Sequence, residues 1–498
     1  MISQLPAVAL LAPLAAGLIA CLAQWLGRAS AARTAWAAAG AGLAASLAAS
    51  LMLVMQTLEQ GQVRYWMGGW APPWGIELVV DSFGAMVLAL IPLAALANLP
   101  AAARIAGRAA PEKPGVFCAL YLLCAAGHMG VVAAGDMFNL YVLIEITALS
   151  GYALLSMGSK RAPLSAFNYL LIGSVGASLY LLGVGYVYIM TGTLNMADIA
   201  RVLKMLPLSG SVLAAFAIIL AGLMTKMALF PLHAWMPNAY AHASPASAGL
   251  LAPLTTKVMV YVLIRLLLNV FGPEFSHIKA SFTLAAVGVA AAAVVFGAVM
   301  ALAQKELRRM IGFILVAEVG YMAGGAFIGN QAALSGAMLH IVNDALMTLC
   351  LFLGLGNVAL RLGSCTRDSF RGLFSRMPWT MAGITAGGLS MIGVPPFCGF
   401  FSKWLLISGA VQGGRPVFAA ALVLSSLVNV ILFFRLFETC FFEEPAAAGT
   451  GPAAVREAPV SMLVPLLFTS ILLVAVGLAS GSIVSQVIAP ALGGIVPP

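Results

Sequence analysis

Charge is scarce in this sequence. Asp, Glu, Lys and Arg make up 8% of its 498 residues, against roughly 25% in a soluble domain, so water is not the solvent of most of the chain. Phosphate-loop and nucleophile-elbow motifs are missing, and His128, His233, His242, His277 and His340 show no haem-like pairing. Nucleotide hydrolysis, serine-type acyl transfer and haem chemistry therefore have no signature here. The seven cysteines are scattered without a CxxC pair, which excludes a disulfide framework or an iron–sulfur motif as the reading. A basic stripe is missing too. The net charge of +9 comes mostly from short connections between apolar runs, a topology signal and not a nucleic-acid footprint.

What the chain has in abundance is apolar length. Hydrophobic residues are 62% of it, and runs of about 20, enough to cross a bilayer as helix, recur almost end to end. The pattern predicts an all-α polytopic membrane protein with fourteen spans at 5–27, 34–55, 82–103, 114–133, 137–157, 166–190, 211–236, 246–270, 282–303, 309–328, 332–358, 379–411, 416–437 and 459–490. The first run lacks a basic leader and is read as a retained helix. Setting aside Lys226, Lys257, Arg265 and Lys403, which lie deep in spans, the other Lys and Arg, in loops or at span ends, divide sixteen to five between the two sides. The richer side is assigned to the cytoplasm, with both chain ends outside and the protein in the cell (inner) membrane.

Three connections stand out. Residues 62–80, with Trp66, Trp70, Trp74 and several prolines, suit the outer interface and not a span. Residues 195–206 form a short amphipathic stretch outside, and 443–457 an Ala/Gly/Pro-rich cytoplasmic loop expected to be exposed. No soluble catalytic domain is left over, so any fuel-handling chemistry belongs to other chains.

Ionisable residues inside the spans are the functional candidates, because a charge at a helix centre costs about 2.5–3.5 kcal/mol. Glu145 sits mid-span. Lys226 precedes Pro231, whose ring and missing N–H interrupt the helix, and Lys403 follows Gly393-Val394-Pro395-Pro396. Two lysines beside two broken helices form a pattern typical of transport sites. Lys257 is a central candidate, with Arg265 two turns on as a structural or snorkelling residue. His340, Asp344 and Thr348 stand at i, i+4 and i+8 on one helical face, a stripe that carries protons or simply pins neighbouring helices. Glu318, Lys305 and His233 are secondary, with His233 and His242 expected at the cytoplasmic end of the seventh helix. Desolvation and a mobile carboxylate together make a buried lysine take up and release a proton; no cofactor and no metal is called for.

Together Gly135-Asp136-Met137-Phe138-Asn139-Leu140-Tyr141 with Glu145, Lys226 to Pro237, Thr256-Lys257-Val258, and Gly393 through Lys403 resemble the antiporter-like, proton-conducting subunits shared by Mrp-type multisubunit cation/proton antiporters, respiratory complex I and membrane-bound hydrogenases. The resemblance covers about residues 60 to 440 and is greatest to the Mrp D-type subunit. It implies two five-helix repeats of inverted topology with helices 7 and 12 discontinuous, and a division into 1–113, 114–270, 271–438 and 439–498. It also implies that Glu145 and Lys226 are an interacting pair, Lys257 a central relay and Lys403 the residue of the outer half-channel. Partners would be other membrane subunits of a hetero-oligomer, with protons and Na+ or K+ as the ions. The family commonly has His and Lys where this chain has Asp344 and Thr348, which leaves the strength of the relay open. The function expected is proton translocation in a cation/proton antiporter, with a complex I-like or hydrogenase pump as the alternative. A non-conducting scaffold is a reading of another class.

Overall fold

The computed structural model describes residues 4–25, 28–109, 113–207, 209–272, 280–443 and 456–493. Helix dominates for a physical reason. In hydrocarbon every backbone N–H and C=O must be satisfied within the chain, and an open segment does that only as a helix. The long helices are α1 (Leu5–Leu22), α2 (Arg28–Gln60), α3 (Ser82–Ala109), α4 (Pro114–Ala133), α5 (Met137–Ser156) and α6 (Ala162–Thr191). A short helix, α7 (Met196–Leu203), fills part of the expected amphipathic stretch. The pair α8 (Gly210–Lys226) and α9 (Trp235–His242) precedes α10 (Pro245–Arg265). Then come α11 (Ala280–Leu302), α12 (Leu307–Ile328), α13 (Gln331–Leu362), the pair α14 (Pro378–Ile392) and α15 (Cys398–Gln412), α16 (Pro416–Phe441) and α17 (Val460–Leu478).

Twelve unbroken helices among the described residues are long and apolar enough to cross a membrane. With the two broken pairs they occupy the fourteen expected positions. The order of α4, α5, α6, α8/α9 and α10 repeats as α11, α12, α13, α14/α15 and α16. Five is odd, so the second set enters the bilayer from the opposite side.

One expected boundary needs correction, and two connections are further defined. The fourteenth helix does not run to 490: α17 ends at Leu478, since 19 residues already rise about 28 Å. Short helical turns follow from Ser480, and the Ser82 hydroxyl at the start of α3 donates to Val487 O at 2.7 Å. Residues 62–80, outside the spans as expected, hold a small hairpin in an otherwise helical fold. Strand β1 (Val63–Trp66) pairs antiparallel with β2 (Glu77–Val80), Val63 opposite Val80. Strands of four residues are too short for alternation to show against the aromatic and proline-rich turn between them. Of the loop 443–457, residues 444–455 lie outside the described residues.

The hairpin has a task. Gly135 N–H donates to Glu77 O at 2.8 Å, Met196 N–H to Gly135 O at 3.0 Å, and Glu77 Oε2 accepts from Asn195 Nδ2 at 2.9 Å. A Cβ at position 135 would meet Glu77 O at 2.8 Å, so glycine permits this approach. Next to it, the Asp136 carboxylate caps α5 by accepting from Phe138 N and Asn139 N. The Gly-Asp pair of the sequence motif therefore sets where α5 starts, and with it the depth of Glu145.

Burial separates centre from perimeter. Nearly every residue of α10, α12 and α13 is buried, as expected of helices apolar on all sides. Helices α1, α2, α6, α16 and α17 expose large apolar side chains such as Leu18, Met55, Leu171, Leu427 and Ile471, a surface suited to lipid.

Candidate functional site

Buried charge is concentrated where the helices are most enclosed. Helix α8 touches α10, α10 packs along α13, and α13 packs against α12 and α15, so the candidates occupy adjacent helices across the molecule.

At one end, Lys226 Nζ donates to Glu145 Oε1 at 3.0 Å, joining α8 to α5. The lysine side chain is 4% exposed and the glutamate 25%, so the pair reaches the edge of the bundle through its carboxylate. Lys226 is the last residue of α8. Carbonyls left without intrahelical donors at a helix C-terminus carry partial negative charge and favour a cation. The break that follows is braced by Trp235, whose indole N–H donates to Thr225 O at 3.1 Å and whose ring stacks on Tyr169 at 3.6 Å.

In the centre, Lys257 Nζ lies 3.0 Å from Asp344 Oδ2, with hydrogen bonds to Ala252 O at 3.1 Å and Thr348 Oγ1 at 3.3 Å. Thr348 donates to Asp344 Oδ1 at 3.1 Å. Both members of the ion pair are fully enclosed. Asp344 and Thr348 thus form one hydrogen-bonded unit with Lys257.

Toward the other end, α12 contributes Glu318. Its Oε2 is 2.5 Å from His340 Nε2 and its Oε1 is 3.5 Å from Lys403 Nζ. Lys403 also donates to Met391 O at the end of α14 and lies 5.1 Å from the centre of the Tyr321 ring. Asn429 Nδ2 donates to the same carbonyl at 3.3 Å. The other side of His340 is held by Ser402 Oγ, 2.8 Å from Nδ1, and Asn343 Nδ2 donates to Ser402 Oγ at 2.9 Å. Lys226 thus ends one half-helix, and Lys403 sets its ammonium on a carbonyl at the C-terminal end of another.

The remaining candidates fare differently. Lys305 is exposed in the connection between α11 and α12, away from the buried groups. His233 lies in the break after Lys226, not at the cytoplasmic end of the helix. It is buried there against Phe230 and Phe296, because the helix stops at Lys226 and turns the following segment inward. His242 closes α9 and meets Ser165 Oγ through Nδ1 at 2.8 Å. Arg265 donates to Val132 O and Val79 O, which ties α10 to α4 and to strand β2 of the hairpin.

Sequence reading underrated Glu318 and passed over His128. Glu318 is as deep in a span as Glu145, and the same desolvation argument applies to it. His128 is fully buried in α4; its Nδ1 meets Cys124 O at 2.8 Å while Nε2 has no partner among the described residues. Tyr152 OH and Thr256 Oγ1 are likewise unpartnered among the described residues. Buried polar atoms of this kind are ordinarily satisfied by ordered water.

Residues 134–429 match the family described as NADH:quinone oxidoreductase/Mrp antiporter, TM. The N subunit of the NADH-quinone oxidoreductase of Desulforudis audaxviator is 44% identical over 451 residues, covering 88% of this chain and 89% of that protein. The D-type subunit of the Na(+)/H(+) antiporter of Alkalihalophilus pseudofirmus is 30% identical over 395 residues, covering 79% and 78%. Among solved structures, a chain of the membrane-bound sulfane sulfur reductase, an archaeal respiratory membrane complex, superposes with a TM-score of 0.87 at 28% identity, covering 99% of this chain and 98% of that one.

Proposed function

The chain belongs to the NADH:quinone oxidoreductase/Mrp antiporter transmembrane family, and from that membership we propose that it translocates protons as one membrane subunit of a multisubunit complex in the cell membrane, both ends outside. The observation that carries this reading is the set of three lysine–carboxylate pairs, Lys226–Glu145, Lys257–Asp344 and Lys403–Glu318, on adjacent helices. An ion pair held out of water costs desolvation energy, so three of them in apolar helices point to a function. When the carboxylate moves off its lysine, the ammonium loses its counter-charge and releases its proton; when the carboxylate returns, the lysine binds one again.

In this mechanism Glu145 and Lys226 form the switch at the bundle edge, and its partly exposed carboxylate is where another subunit of the complex adjoins. Lys257 with Asp344 and Thr348 relays through the centre. His340 and Lys403 carry the proton to the far side. None of these steps needs an electron carrier in this chain, so redox chemistry, where it drives the motion, resides in a partner.

Two drivers fit the site. Of the two relatives, the oxidoreductase N subunit shares the higher identity, which favours a redox-driven complex. Monovalent cation/proton antiport, with Na+ or K+ as the exchanged ion, is favoured by the lysine at position 403 and by the D-type relative. Purification of the native complex separates them: copurifying quinone- or hydrogen-handling subunits support the first, and antiporter subunits alone support the second. Proton flux unchanged by Lys226→Ala in reconstituted complex would sink both.

A further inference from the structure

Glu318 differs from the other two paired carboxylates in having a base on each oxygen, His340 Nε2 on Oε2 and Lys403 Nζ on Oε1. Glu318 and His340 are fully enclosed and Lys403 nearly so. The neighbouring carboxylate, Asp344, is held by Lys257. The other polar groups at the cluster, Ser402, Asn343, Asn429 and the Tyr321 ring, are neutral. One carboxylate neutralises one cation, and a second cation in the same dry space would stand uncompensated at a steep desolvation cost.

We propose that Glu318, His340 and Lys403 share a single excess proton and that Glu318 is the second switch, passing that proton from the imidazole to the lysine. The inference rests on the proton-translocation reading and adds a residue and a stoichiometry to it. The transfer balances. Imidazolium Nε2 gives its proton to Oε2, leaving neutral imidazole and a neutral carboxylic acid. Rotation about Cγ–Cδ turns the O–H to the neutral Lys403 amine, which becomes ammonium as the carboxylate is restored. The cluster stays electrically neutral throughout. Ser402 supports both ring states, since its hydroxyl donates to Nδ1 of the neutral ring and accepts Nδ1–H of the charged one. In the charged state Lys403 is held by Glu318 and by Met391 O.

Two measurements on the assembled complex in lipid vesicles test this. First, infrared difference spectra with ring-labelled histidine compare wild type with Lys403→Met. Removing one seat for the proton moves it to the other, so a new imidazolium or carboxylic-acid band appears in Lys403→Met and is lost in Lys403→Met combined with His340→Asn and Glu318→Gln. Spectra of Lys403→Met identical to wild type overturn the shared proton. Second, Glu318→Gln lowers proton flux by about 100-fold, the lower end for removing a positioned proton donor, and Glu318→Asp restores part of it. Glu145→Gln is run beside them. Wild-type flux in Glu318→Gln with flux lost in Glu145→Gln overturns the second switch alone; wild-type flux in both overturns the proton-translocation reading itself.

Discussion

In the first five-helix set one carboxylate meets one ammonium, Glu145 on Lys226 at 3.0 Å, and a quarter of the Glu145 side chain is exposed. In the second set Glu318 meets two bases and lies inside a hydrogen-bonded cluster with no exposed member beyond the edge of Lys403. The breaks differ as well. After Lys226 the chain passes through Ala228 at φ 57°, a left-handed conformation that costs an L-residue about 1–2 kcal/mol. The corresponding turn after α14 uses Gly393 at φ 95°, where no Cβ is present to clash. The first pair thus lies beside a strained turn and is open to a neighbour, whereas the second lies beside an unstrained turn and is closed. A pair at the edge can be pulled apart by a partner's movement. A pair inside must exchange its proton with groups of the same chain.

The largest effect that tests this contrast is on transport. Glu145→Ala or Lys226→Ala abolishes coupled transport while the complex still assembles, as read by proton flux and by native gel migration. Normal flux in either would remove the first switch from the comparison. Stability gives the next largest effect. Lys257→Met leaves Asp344 buried without its cation and lowers stability by about 3–5 kcal/mol, measured by thermal unfolding of the purified complex. Lys257→Met with Asp344→Leu recovers much of the loss. Glu145→Gln, at the exposed edge, destabilises less than Lys257→Met; equal losses would erase the distinction between open and closed pairs.

Asp344→Asn slows proton transfer without stopping assembly, whereas unchanged flux and pH dependence would leave Asp344 as a packing residue. A smaller change follows Thr348→Val, which deletes the hydroxyl between Lys257 and Asp344 and costs about 1 kcal/mol, with a modest slowing of flux. Lys305→Ala is expected to change flux least, since Lys305 lies in an exposed connection.

The legible part of this protein was legible for one physical reason: hydrocarbon tolerates little polar surface, so departures from apolarity stand out. That exposed the helix positions, the interruptions near Pro231 and Pro395, and Glu145, Lys226, Lys257 and Lys403 as residues too costly to be incidental. Glu318 carries the same desolvation cost, but its partners His340 and Lys403 come from other helices and only the packing brings them to it. The hairpin at 63–80 escaped because its pairing is long-range within an aromatic turn, and the strands alone are too short to show a period.

The residue substitutions on α13 mark the boundary most clearly. From sequence, Asp344 and Thr348 stand where the family commonly has stronger bases, and the relay looks weakened there. In three dimensions both bind the Lys257 ammonium from one face of α13. By itself the sequence determined which groups are buried at a cost, since solvation depends on composition along each span. Which acid faces which base was decided only by the packing of α10, α12, α13 and α15. Ion pairing acts over a few ångströms between segments that lie dozens of residues apart, and no local pattern encodes it.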